Sequence, residues 1–147
     1  MNYFREAENI LSNRGNLDRA LENLKKQQQR LVDSGAPNGI KSIDPSAEYV
    51  SGGRVNDTME DFLDLLRVRR DISITEAKIK EIDDTLAQLE HEEREVLENW
   101  YIKQMTGDEI CAAMHIGSRT NKLYDMRNRS LRTFAVLYFG GSALDGT

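Results

Sequence analysis

Thr106–Arg132, TGDEICAAMHIGSRTNKLYDMRNRSLR, is the stretch whose reading decides the fold. It opens on Thr106-Gly107-Asp108-Glu109, a capping box in which Thr106 accepts from the Glu109 amide and the glutamate reaches back. That predicts a short helix over Asp108–Met114, with Ile110, Ala113 and Met114 as its apolar contacts. Small Cys111 falls where a second helix has to approach closely. His115-Ile116-Gly117 then reads as a tight turn, histidine being among the residues that tolerate a left-handed backbone. Ser118 is expected to cap a longer helix that reaches about Phe139 and stops at Gly140-Gly141. Short helix, glycine-containing turn and longer helix stand in helix-turn-helix order.

The longer helix has two unlike sides. At 100° per residue, Leu123, Met126, Ser130, Phe134 and Leu137 form one stripe, expected to be buried. Opposite lie Asn121, Asp125, Asn128 and Arg132, flanked by Lys122, Tyr124 and Arg129. Asparagine and arginine match adenine and guanine edges in the major groove. Lys122, Arg129 and Arg132 suit phosphate contacts, which position a protein on DNA without reading sequence. Arg119 and Thr120, in the first turn, complete the expected DNA-binding set. Arg127 points towards the apolar stripe and is expected to pair with an acid such as Glu109. A basic face of this kind is common on surface helices; the cap, small residue, turn and second cap in sequence are what make it specific.

Upstream, His91–Lys103 reads as a helix with Val96, Leu97, Trp100 and Tyr101 on its apolar face. Before it, Leu65, Val68, Ile72, Thr75, Ile79, Ile82, Leu86 and Leu89 recur at alternating steps of three and four. That is the seam of one long helix capped by Asp57 or Thr58. Leu17, Leu21, Leu24, Gln28 and Leu31 form a matching seam on an earlier helix. The two predict a coiled-coil-like hairpin joined by residues 34–56, a stretch with both prolines and four of the ten glycines. A shorter amphipathic segment, Tyr3–Ser12, precedes a break at Asn13–Asn16. Because a two-helix hairpin buries little surface, self-association as a homodimer through the N-terminal helices is expected. The organisation is therefore all-α: a helical hairpin over 1–89, a helix-turn-helix domain over 90–140 and a flexible tail over 141–147.

Composition narrows the function. The 147 residues are 31% charged, with a net charge of -5. The charge is uneven: residues 1–114 hold 15 basic and 23 acidic side chains, whereas 115–147 hold five and two. All five bases fall between Arg119 and Arg132, so an acidic body carries a short basic segment. No apolar run approaches the roughly 18 residues of a membrane span, and the start lacks a signal-peptide pattern. One cysteine, Cys111, and two histidines, His91 and His115, leave no disulfide framework and no dense ligand set for a metal. No Ser-His-Asp set, carboxylate pair or glycine-rich phosphate loop is visible. The expectation is a cytoplasmic protein that is not an enzyme and needs no cofactor or metal.

Leu89–Leu97 (LEHEEREVL), Thr106–Cys111 (TGDEIC) and Leu123-Tyr124 resemble region 4 of sigma-70-type factors. The ending, Ser130–Ala135 and Tyr138–Gly140, and the opening, Glu6–Leu11 and Leu17–Leu24, are similar to phage-encoded transcriptional regulators of the ArpU/RinA type. In this sequence Cys111 stands where alanine is common, and the turn Met114–Ser118 is one residue longer than the usual sigma pattern. The resemblance implies a sigma-region-4-like helix-turn-helix that binds promoter-type double-stranded DNA. It implies activation of late phage genes with RNA polymerase in a bacterial host cell, with recognition positions between Arg119 and Arg129. Two alternatives share the architecture: a phage small terminase subunit that recognises packaging-site DNA, and a sigma mimic that binds RNA polymerase without touching DNA.

Overall fold

The computed structural model describes residues 1–35, 52–117 and 121–145. Among them the structure is all-helical, with no strand. The helices are α1 (Tyr3–Ser12), α2 (Arg14–Asp33), α3 (Gly52–Ala87), α4 (His91–Leu97), α5 (Gly107–Ala113), α6 (Asn121–Phe139) and α7 (Ser142–Asp145). A π-helical turn, Glu98–Ile102, continues α4. No described helix is long and apolar enough to cross a membrane. The chain divides into two units, Met1–Leu17 with Lys78–Thr147, and Asp18–Ala77. The boundary expected after residue 89 thus falls differently: α1 and the end of α3 belong with the C-terminal helices.

In the Asp18–Ala77 unit, Leu21, Leu24, Gln28 and Leu31 of α2 are half-buried, and Leu65, Val68 and Ile72 of α3 are buried. Gln27, Arg30, Leu31 and Ser34 line one groove with Asp64, Arg67, Val68 and Asp71. The apolar steps of both seams are thus the less exposed positions of their helices. Thr75, the polar step, donates its hydroxyl to the Asp71 carbonyl at 2.7 Å, which satisfies it within its own helix. The long connection expected over 34–56 is shorter. Helix α3 already begins at Gly52, so neither Asp57 nor Thr58 caps it. Once a turn is nucleated, each further residue adds a hydrogen bond, and α3 extends through weak helix formers. Residues 36–51 lie outside the described residues.

In the other unit the core gathers Ala7 and Leu11 of α1, Ile82, Leu86 and Leu89, Val96 and Leu97 of α4, Ile110 and Cys111 of α5, and Leu123, Leu131 and Phe134 of α6. Helix α6 packs against both α1 and α4. Burial of the leucine, isoleucine, valine and phenylalanine side chains among them stabilises each by about 1.5–3 kcal/mol relative to exposure. The break expected over Asn13–Asn16 contracts to Asn13, which ends α1 while its carbonyl accepts from the Leu17 amide at 2.9 Å. Arg14 then fixes the start of α2 by donating to both carboxylate oxygens of Asp83 at 2.8 Å. This two-pronged geometry is the strong form of an Arg–carboxylate pair.

Other details depart from expectation. His91–Lys103 is not one α-helix, because it widens into the π-helical turn after Leu97. Leu137, placed on the buried stripe, is 41% exposed, whereas Leu131 and Ala135 are buried. Helix α1 packs on α6, whose buried face takes in Leu131 and Ala135 instead of Leu137. Part of the tail expected over 141–147 forms α7, with Ala143 buried. Gly140 separates it from α6 at φ 84°, a left-handed position that ends a helix and that glycine occupies without a steric penalty.

Candidate nucleic-acid interface

The described residues before α6, from Thr106 to Gly117, take the local conformations their types favour. Thr106, extended, accepts from the Glu109 amide at 3.2 Å, and its hydroxyl donates to the Glu109 carboxylate at 3.2 Å. Helix α5 follows from Gly107, one residue earlier than expected. His115 sits at φ 58°, the left-handed backbone anticipated for it. The Ile116 amide donates to the Cys111 carbonyl at 2.8 Å, closing the turn over the end of α5. Cys111 is buried in the core of this unit. Ser118, Arg119 and Thr120 lie outside the described residues, so the expected cap and the first two expected contact residues have no structural account.

Five of the remaining expected residues come together. Lys122, Asp125, Asn128, Arg129 and Arg132 line one shallow depression along the outer face of α6. From Lys122 to Arg132 this face is about 15 Å long at ~1.5 Å per residue, which suits the length of a groove-bound helix segment. Lys122, Asp125, Arg129 and Arg132 are exposed, and so is Asn121 in the first described turn. The opposite face, with Leu123, Met126, Ser130 and Phe134, is buried. Ser130 donates to the Met126 carbonyl at 2.7 Å, which removes the cost of its burial.

Two expected residues are engaged by neighbouring side chains. Tyr124 is half-buried and meets Trp100 edge-on, with centroids 5.5 Å apart at 71°. Asn128 is half-buried, and its carbonyl oxygen accepts from Arg127 Nε at 3.1 Å and Nη2 at 2.9 Å. Arg127 therefore does not pair with Glu109. Its guanidinium lies 4.6 Å from the centroid of the Trp100 ring and 5.6 Å from that of Tyr124. Stacking keeps the charge favourably placed where a planar cation meets aromatic faces and little water.

Two neighbours of this face were not anticipated. Asn2 and Phe4, at the start of α1, line a small hollow with Asn128 and Arg132. Glu90, Glu92 and Glu93, at the start of α4, line another with Arg129 and Arg132. The run of acids before Val96 was visible, but a one-dimensional reading does not show which face of α6 it borders. Among the described residues, no group of three or more His, Cys, Asp or Glu side chains is placed to hold a metal ion. Comparison of the chain with protein-family models, with curated proteins and with solved structures finds no match.

Proposed function

We propose that the protein is a sequence-specific, DNA-binding transcriptional regulator of the phage type. In this reading α5 and α6 form a sigma-region-4-like helix-turn-helix, and the α2–α3 hairpin joins two copies into a dimer. It acts in the cytoplasm of a bacterial host and activates late genes with RNA polymerase. The observation that carries the reading is the outer face of α6, where Lys122, Arg129 and Arg132 flank Asp125 and Asn128 while the reverse face is buried. The three bases supply phosphate contacts. Asn121 and Asn128 supply base-edge readers, and Asn128 gains its acceptor for adenine when Arg127 releases it. A dimer presents two such helices, so the reading implies a partly symmetric site.

The test is selection of bound sequences from random duplex DNA, followed by anisotropy titrations of the winner across salt concentrations. A recovered site should bind with a steep salt dependence, each neutralised phosphate contributing about -0.9 to the log–log slope. Arg129→Ala and Arg132→Ala should each lower that slope by about one, and Asn128→Ala should weaken the selected site selectively. No enrichment by the folded protein would overturn the reading.

The glutamates beside Arg129 and Arg132 favour a second reading, a sigma mimic that docks on a basic surface of RNA polymerase. That reading predicts polymerase binding with no salt-dependent affinity for duplex DNA. The small-terminase alternative predicts a ring of many copies, which a solution mass distinguishes from a dimer.

A further inference from the structure

Helix α3 carries two apolar stripes. Leu65, Val68 and Ile72 are buried on the side whose groove it shares with α2. At 100° per residue, Met59, Leu63, Leu66 and Ile74 fall on the opposite side. They are 50%, 51%, 46% and 57% exposed. Single exposed apolar side chains are ordinary, but four on one helix face mark an interaction surface. The steps Met59, Leu63, Leu66 and Arg70 follow the four-three-four rhythm of a coiled-coil seam, with arginine at the last step.

We propose that this stripe is the seam through which two copies of the chain associate, α3 against α3 in antiparallel orientation. The charge pattern selects both occupant and direction. The acid Glu60 lies along the first half of the stripe, and the bases Arg67 and Arg70 along the second. A parallel pair would set Arg70 against its own copy inside the seam, where like charges repel. In the antiparallel pair with its two-fold axis between positions 64 and 65, Leu63 meets Leu66 of the second copy, twice. Met59 meets the aliphatic stem of the second copy's Arg70. Glu60 stands opposite Arg67 of the second copy, again twice. Arg67 is held at 3.3 Å by Asp64 of its own helix, and both side chains are at least half exposed, so the pair exchanges at little cost. The seam is short, burying about 1,000 Å² or less, and belongs to a concentration-dependent dimer.

This gives the dimer proposed above its surface, and it rests on that part of the reading but not on DNA binding. The experiment uses the full chain. Sedimentation equilibrium should show the mass rising from monomer to dimer with concentration, and Leu66→Glu should weaken the dimer on the order of tenfold or more. Leu66 is half exposed, so circular dichroism of the variant should be unchanged. In a Cys111→Ala background, a mixture of Leu63→Cys and Leu66→Cys chains should oxidise to the mixed disulfide faster than either chain forms its own. A dimer unaffected by Leu66→Glu would overturn the seam and leave a dimeric regulator. Equal self-cross-linking at both positions would overturn the antiparallel arrangement. A monomer at every concentration would overturn the seam and the dimer together, whatever the outcome with DNA.

Discussion

The guanidinium of Arg127 lies over the indole of Trp100, 4.6 Å from its centroid, and hands two hydrogen bonds to the neighbouring Asn128. One side chain thereby ties the end of the α4 segment to α6 and sets the resting position of a candidate base reader. Replacing Arg127 with Met keeps the stem and removes the charge. The variant should lose about 1 kcal/mol of stability. Trp100 is the single tryptophan of the chain, so its fluorescence in denaturant reports the change directly.

A second consequence concerns alkaline pH. The Tyr101 phenol is buried and donates to Glu8 at 3.1 Å. Burial first, and the Glu8 carboxylate next, push its ionisation well above the ordinary value of 10.0. The folded chain thus holds this proton more tightly than the unfolded chain. That contribution is complete below about pH 10 and is lost as the pH rises beyond it. Tyr101→Phe should cost about 1 kcal/mol at neutral pH through the missing hydrogen bond. Its stability should then fall less steeply above pH 10 than that of the wild type, by about one proton in the slope of denaturation free energy against pH.

Glu92 and Glu93 border the hollow that also contains Arg129 and Arg132. If the outer face of α6 meets phosphates, these carboxylates oppose it. The double substitution Glu92→Gln, Glu93→Gln should tighten duplex binding several-fold at low salt, with the gain shrinking as screening shortens the reach of charge to about 3 Å at 1 M. Anisotropy titrations at two ionic strengths measure both effects.

Gly140 and Gly141 separate a conformational requirement from a steric one. Neither has an atom within 4 Å of where a Cβ would sit, but only Gly140 has a positive φ. Gly140→Ala should destabilise by about 1 kcal/mol, whereas Gly141→Ala should be neutral or slightly stabilising. Thermal melts of the two variants decide it.

Local chemistry was readable in advance where a few residues determine it. The Thr106 cap on the Glu109 amide and the left-handed His115 each depend on near neighbours in sequence, and each has its expected form. What escaped depends on partners far along the chain. The stacking of Arg127 follows from where Trp100 lies. The early start of α3 escaped for a different reason: the glycines at 52 and 53 read as loop, and cooperativity of the long helix outweighs their poor propensity. Of the candidate interface, the exposed bases of α6 were legible from helical periodicity. The half-burial of Tyr124 and the engagement of Asn128 were not, because periodicity gives a direction and not a neighbour.

The placement of α1 also bears on how the chain is made. Ala7 and Leu11 are fully buried in a unit whose central helix, α6, begins at Asn121, about 110 residues later. A ribosome adding about 5–20 residues per second needs several seconds to cover that distance. Throughout that interval the apolar side of α1 has no α6 to rest on, an exposed surface of the kind that chaperones shield. It follows too that a fragment spanning only residues 90–140, which lacks α1 together with Ile82, Leu86 and Leu89, is born with an open apolar flank.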